Sequence, residues 1–296
     1  MKGFKSPPLL GRLSLLAAAL IWGASFVGMK ELTAVMSVQY VLAIRFTLST
    51  LAMALVLLPR LKRLRWSTVW RGGVIGVFLY LAYVFQTYGV AQTTPGKNAF
   101  LTAIYCVLVP FMYWAVDRVR PDRFNVSAAV LAVLGIGMVS LDGDLSMGAG
   151  DALTIVGGVF FAAHMVAITK LSRGEDTLLI TMMQFAGTAV CAWIGTPFEA
   201  APSFAVFTPE ILGVMAYLVL CATCLTLTLQ TYGQKHTPPA AAAILLSLES
   251  VFGVIVSIIA GERPSPIVYG GFAVIFLSVL ISETKLSFLR RAQGKQ

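Results

Sequence analysis

The sequence predicts an all-α integral membrane protein: ten transmembrane helices arranged as two inverted five-helix repeats around a central cavity. Three observations lead there. Of 296 residues, 58% are hydrophobic and only 12% charged, against roughly 25% charged in a soluble domain, too little to cover a water-facing surface. Ten runs approach the length needed to cross a hydrocarbon core, about 20 mostly apolar residues. One polar motif recurs at constant spacing in the two halves of the chain. This composition excludes a soluble enzyme, and its wealth of apolar residues excludes a disordered chain. Four cysteines and two histidines make neither a disulfide framework nor zinc-finger spacing.

In chain order the runs are 10–31, 37–58, 71–92, 96–116, 124–141, 150–171, 177–197, 209–231, 238–260 and 265–283. The first follows Lys2 and Lys5 and contains Ala17-Ala18-Ala19, as a signal peptide would, but its length and the nine runs behind it favour a retained span. Turn residues punctuate the rest: Pro59 after the second run, Pro95 before the fourth, Pro121 before the fifth and Asp142-Gly143-Asp144 before the sixth. Pro197 to Pro209 separate the seventh and eighth, Pro238-Pro239 open the ninth and Pro264 precedes the tenth. No stretch remains for a globular domain.

Charge fixes the expected orientation. With a cytoplasmic N-terminus, eighteen of the 22 Lys and Arg residues fall inside, most densely in the 2/3 loop (Arg60, Lys62, Arg63, Arg65, Arg71) and the C-terminal tail. Three fall outside (Lys30, Lys97, Arg263), and Arg45 lies within the second run. This bias puts both termini of a multi-pass protein in the cytoplasm, and the expected location is the cell inner membrane. It also accounts for the net charge of +9 without nucleic acid as a partner, because the basic groups are scattered over short loops rather than gathered in a patch.

Gln86-Thr87-Tyr88-Gly89, followed by Thr93 and Pro95, returns as Gln230-Thr231-Tyr232-Gly233, followed by Thr237 and Pro239, at a constant offset of 144. Gly11 pairs with Gly150 at the front, and Arg120-Pro121 with Arg263-Pro264 at the back. The expected units are 1–141 and 142–296, five spans each. Five is odd, so the second copy enters the membrane from the opposite side, and such a pair can form both an inward-open and an outward-open state.

Several short motifs now stand in order: Trp22-Gly23-Ala24-Ser25-Phe26, Arg45-Phe46, Thr94-Pro95-Gly96-Lys97-Asn98-Ala99-Phe100-Leu101 with Pro110, and Leu248-Glu249-Ser250-Val251-Phe252-Gly253 ending in Gly261-Glu262. In this order, with ten spans and a repeat, the chain resembles the EamA-type family of the drug/metabolite transporter superfamily over nearly its whole length. The resemblance is to the YddG-like amino-acid/metabolite exporters within it. It implies a basket of ten helices around a central cavity, exporting amino acids or related metabolites. Ser250 stands where many members have Pro, which puts the local bend of the ninth span in question.

Polar groups at membrane depth are the candidate site residues, because a charge there must face protein or water. Glu249 shares a face with Gly253 and Ser257. It reads either as a cation, amine or proton site or as the structural partner of Arg45, the only buried guanidinium. Arg45 reads in turn as a fork for a substrate carboxylate or as a tie between helices. His164 is a candidate for proton coupling or a hydrogen-bonded core residue. Tyr80, Tyr83 and the adjacent Gln86 on the third run and Tyr105 on the fourth suit a cavity for an amphiphilic solute, and Trp22 on the first reads either as a further lining residue or as a lipid contact.

Cys221 and Cys224 have CxxC spacing but sit in an apolar run and read as packing. No Walker loop, HExxH, GxSxG or Rossmann glycine pattern occurs, so no enzyme, no cofactor and no metal site is expected and a gradient must supply the energy. The expected partners are a small-molecule substrate and membrane lipid, with the monomer as the working unit. The expectation is export of amino acids, aromatic ones included, or similar metabolites by alternating access. A multidrug or organic-cation exporter is the alternative within transport, and a channel or sensor the alternative outside it.

Overall fold

A computed structural model describes residues 8–118, 120–140, 147–237 and 239–284, and among them no strand occurs. The helices are α1 (Pro8–Val35), α2 (Val38–Val56), α3 (Leu58–Leu61), α4 (Trp66–Gln92), α5 (Pro95–Thr102), α6 (Tyr105–Asp117) and α7 (Arg123–Ser140). The second half holds α8 (Ala149–Leu171), α9 (Thr177–Gly195), α10 (Pro209–Val219), α11 (Thr226–His236), α12 (Pro239–Ile259) and α13 (Pro266–Thr284). Local chemistry sets the starts: Pro95 follows Thr94, whose hydroxyl accepts from the Lys97 N–H, and the Asp176 carboxylate accepts from the N–H groups of Leu178 and Leu179.

Among the described residues, seven helical segments are long and apolar enough to cross a membrane, where the sequence expectation is ten. The remaining three expected spans carry shorter apolar stretches, Val126–Gly135, Leu245–Ile259 and Pro266–Ser278. Their helices α7, α12 and α13 have 18, 21 and 19 residues, about 27 to 32 Å at 1.5 Å per residue. The chain is a multi-pass membrane protein.

Several boundaries differ from expectation. α4 begins at Trp66, so Arg71 is helical, and α11 carries the eighth run on to His236. Both extensions are held by partners across the bundle: Arg71 meets the Glu175 carboxylate at 3.0 Å, and Lys235 Nζ donates to the Glu175 carbonyl at 2.7 Å. α12 continues as helix through Ser250. The Asp142-Gly143-Asp144 turn, Pro238, residues 1–7 and the C-terminal basic residues from Lys285 onward lie outside the described residues.

Two interruptions shape the centre. The fourth run breaks at Ala103 and Ile104, where Ala103, Ile104 and Cys106 donate three residues back. Gly158 of α8 makes room there, since a Cβ on it would stand 2.4 Å from Ile104 Cγ2. Between α10 and α11 a π-helical turn, Leu220–Leu225, inserts extra residues into the eighth run.

The helix starts repeat at two spacings. α2 and α9 have 19 residues each and open at Val38 and Thr177, 139 apart; α5 and α12 open at Pro95 and Pro239, 144 apart. The packing repeats as well: α4 packs on α8 as α11 packs on α1, and α1 packs on α12 as α8 packs on α5 and α6. The contacts α2–α9, α7–α13 and α5–α12 map onto themselves when the halves are exchanged. The glycines matched in sequence are matched in contact. A Cβ on Gly89 would stand 2.9 Å from the Gly150 carbonyl oxygen, and one on Gly233 3.0 Å from that of Gly11. Small residues of this kind let membrane helices approach backbone to backbone.

Candidate functional site

The central cavity lies between α1, α4, α6, α8, α11 and α12. Eight of its lining residues form four pairs at the repeat spacings: Trp22 with Phe161, Phe26 with Met165, Gln86 with Gln230, and Tyr105 with Glu249. Ser25, Tyr83 and Leu246 complete the wall. The free space at the centre is about 20 Å³, room for one water, so a larger occupant requires the helices to separate.

Several wall residues are held by partners behind or beside them. The Trp22 indole N–H donates to the Ala222 carbonyl at 2.9 Å, a contact reached at the π-turn. Gln86 Nε2 donates to Thr102 Oγ1 at 3.0 Å, while Asn98 Nδ2 donates to the Gln86 carbonyl at 3.1 Å and to Thr154 Oγ1 at 2.6 Å. Tyr83 packs edge-on against Phe161 with ring centroids 5.3 Å apart. The Tyr105 hydroxyl and Gln230 Oε1 are both buried without a hydrogen-bond partner.

Five of the eight residues singled out in the sequence line this cavity: Trp22, Tyr83, Gln86, Tyr105 and Glu249. Three do not. Arg45, 1% exposed, stands behind the wall with its guanidinium carbon 4.8 Å from the Tyr83 ring centroid. Its Nε donates to Thr223 Oγ1 at 2.7 Å and Nη2 to the Ala222 carbonyl at 3.3 Å. No Arg45–Glu249 ion pair occurs among the described residues; acceptors at the π-turn take the guanidinium instead. Tyr80 is turned out of the cavity, donating to Gln39 Oε1 at 3.2 Å in an outer cleft with Tyr88 and Glu199; three residues along a helix leave it about 60° round from Tyr83. His164 is fully buried with Nε2 3.0 Å from Gln184 Oε1, one layer behind the wall.

Polar networks close both ends of the bundle. At one end Lys30 Nζ donates to the carbonyls of Val90, Ala91 and Thr93 at 2.9 to 3.0 Å. Beside it Thr93 donates to Asp151 at 2.7 Å, and Glu262 accepts from the Gly96 N–H at 2.9 Å. At the other end the Thr68 hydroxyl donates to Glu175 at 2.6 Å. That bond, assisted by Ser67, Arg71 and Arg65, holds the Glu175 carboxyl below its ordinary range against the opposing cost of desolvation. Among the described residues no cluster of His, Cys, Asp and Glu is placed to hold a metal ion.

Comparison with known proteins agrees with this architecture. The model of the EamA-like transporter family matches twice, over residues 9–141 and 148–284. An uncharacterized transporter of Archaeoglobus fulgidus is 32% identical over 282 residues, covering 92% of this chain and 85% of that protein. The uncharacterized transporter YrdR of Bacillus subtilis is 26% identical over 151 residues, 48% of this chain and 46% of that one. A solved structure described only as "Crystal structure of protein" superposes with a TM-score of 0.70 at 17% identity, covering 94% of this chain and 98% of the other, and shares its fold.

Proposed function

Because the chain belongs to the EamA-like transporter family, we propose that this membrane transporter is a secondary carrier that exports amino acids or related small amphiphilic metabolites across the bacterial inner membrane by alternating access. Two five-span halves of opposite orientation, 1–141 and 142–296, would exchange roles between inward-open and outward-open states. The equivalent helix starts, the matched packing and the glycine pairs support that reading. The excess of Lys and Arg in alternate loops supports cytoplasmic termini.

The single observation that carries the substrate reading is the carboxyl of Glu249, 5% exposed, in an aromatic cavity with no Lys or Arg within 4 Å among the described residues. A carboxylate at membrane depth calls for a compensating positive group, and the ammonium of an amino acid supplies one. Trp22, Tyr83 and Phe161 take the substrate's apolar body. The amides of Gln86 and Gln230 and the Ser25 hydroxyl are the groups nearest to hand for its carboxylate.

The withdrawal of Arg45 behind Tyr83 favours a second reading, an organic-cation exporter, since no guanidinium meets a carboxylate in the cavity. Efflux from reconstituted vesicles separates the two, with zwitterionic amino acids or lipophilic cations as competitors. In either case Glu249→Gln is expected to abolish efflux; wild-type turnover in a folded Glu249→Gln protein would remove Glu249 from the mechanism.

A further inference from the structure

A second cavity, about 410 Å³, opens between the α8–α9 turn and the end of α11, lined by Thr169, Ser172, Arg173, Gln234, Lys235 and Thr237. It lies one helical turn from the central cavity: Thr169 follows Met165 by four residues on α8, and Gln234 follows Gln230 by four on α11.

The repeat explains why this space is open. At the spacing of 139, the counterpart of Thr169 is Lys30; at 144, those of Gln234, Lys235 and Thr237 are Val90, Ala91 and Thr93. In the first half the Lys30 ammonium fills the corresponding place and binds the carbonyls of those three residues. In the second half a threonine replaces the lysine, and its hydroxyl turns back to the Met165 carbonyl at 3.1 Å.

Three of the groups around the opening carry polar atoms without partners. Gln234 is 4% exposed, yet neither its Nε2 nor its Oε1 has a hydrogen-bond partner; the hydroxyls of Ser172, 0% exposed, and Thr237, 6% exposed, have none either. Buried polar atoms in this state are rare unless something absent completes them. Arg173 and Lys235 add positive charge, and the nearby Glu175 carboxylate is engaged by Thr68 and Arg71.

We propose that this cavity is a binding site for an oxyanion, carboxylate or phosphate, held by Gln234, Ser172 and Thr237 under the field of Arg173 and Lys235. The inference rests on the transporter reading in one respect: the site would be the station of a substrate's acidic group beside the central cavity. Its own test is separate from transport. Acetate and inorganic phosphate, compared with chloride at equal ionic strength, are expected to raise the melting temperature of the full chain in phosphatidylcholine nanodiscs. The rise should persist in Glu249→Gln, be lost in Gln234→Leu, and require about tenfold more probe in Arg173→Gln, where the attraction of one nearby charge is removed. Arg173 is exposed, so that variant decides the matter even where Gln234→Leu fails to fold. A rise produced only by adding phosphatidylglycerol, and lost in the same variants, assigns the oxyanion to lipid headgroups. No rise from any of the three, or one whose concentration dependence is unchanged in Arg173→Gln, overturns the proposal.

Discussion

Tyr105 and Glu249, 144 residues apart, hold equivalent places in α6 and α12 and face the same cavity. The surrounding pairs are close in kind, aromatic or sulfur-bearing apolar groups in two cases and identical amides in the third. This pair alone sets a phenol against a carboxyl, which gives an otherwise near-symmetric chamber a polar direction. An asymmetric solute bound there would have its cationic end drawn toward α12.

Arg45 follows from the π-turn. Replacing it with Gln removes the donor to Thr223 Oγ1, one of the two donors to the Ala222 carbonyl (Trp22 keeps the other) and the stack on Tyr83. The expected cost is about 1 to 3 kcal/mol, read as a lower melting temperature. The affinity of the folded fraction for substrate should stay close to wild type, because the guanidinium does not line the cavity; an affinity loss with unchanged stability would return Arg45 to the binding site.

The glycine pairs predict a positional contrast. Gly89→Ala would drive a Cβ to 2.2 Å from Thr154 Oγ1, overpacking expected to cost about 1 to 3 kcal/mol. Gly213 has nothing within 4 Å of its Cβ position, so Gly213→Ala should stay within about 1 kcal/mol of wild type. Melting temperatures of the two variants check this, and equal shifts would contradict the close approach of α4 and α8.

Glu175 predicts a pH dependence. Its carboxyl is held below the ordinary 4.5, so the folded state favours the ionised form. The resulting stability is fully present above that ordinary value and is lost as pH falls through the lower, folded one. Melting temperatures of wild type and Glu175→Gln should differ near neutral pH and converge as the medium is acidified below 4.5. A difference that grows on acidification would reverse the sign assigned here.

Much of the architecture was legible because membrane depth leaves few choices: apolar runs, proline punctuation and the 144-residue motif fix the order of the helices. Five of the eight residues named from sequence line the cavity, because polar groups in apolar runs must face inward. Which layer they reach was not legible. Arg45 and His164 face inward yet stop behind the wall, and Tyr80 turns to Gln39, because partners such as Thr223 and Gln184 are far off in sequence. The π-turn that receives Arg45 leaves no periodic trace. Phe161, Met165 and Gln230 could have been found, since the repeat carries Trp22, Phe26 and Gln86 onto them; the shift from 139 to 144, four residues of it taken up in the longer connection before α10, hid the complete set.

Labelling of Ser25→Cys, on the cavity wall, tests the carrier account most directly in sealed vesicles of known orientation. The expected result is modification by a membrane-impermeant thiol reagent from one face at a time, with transported substrate shifting which face. Modification from both faces at once, unaffected by substrate, would mean an open pore and contradict the carrier.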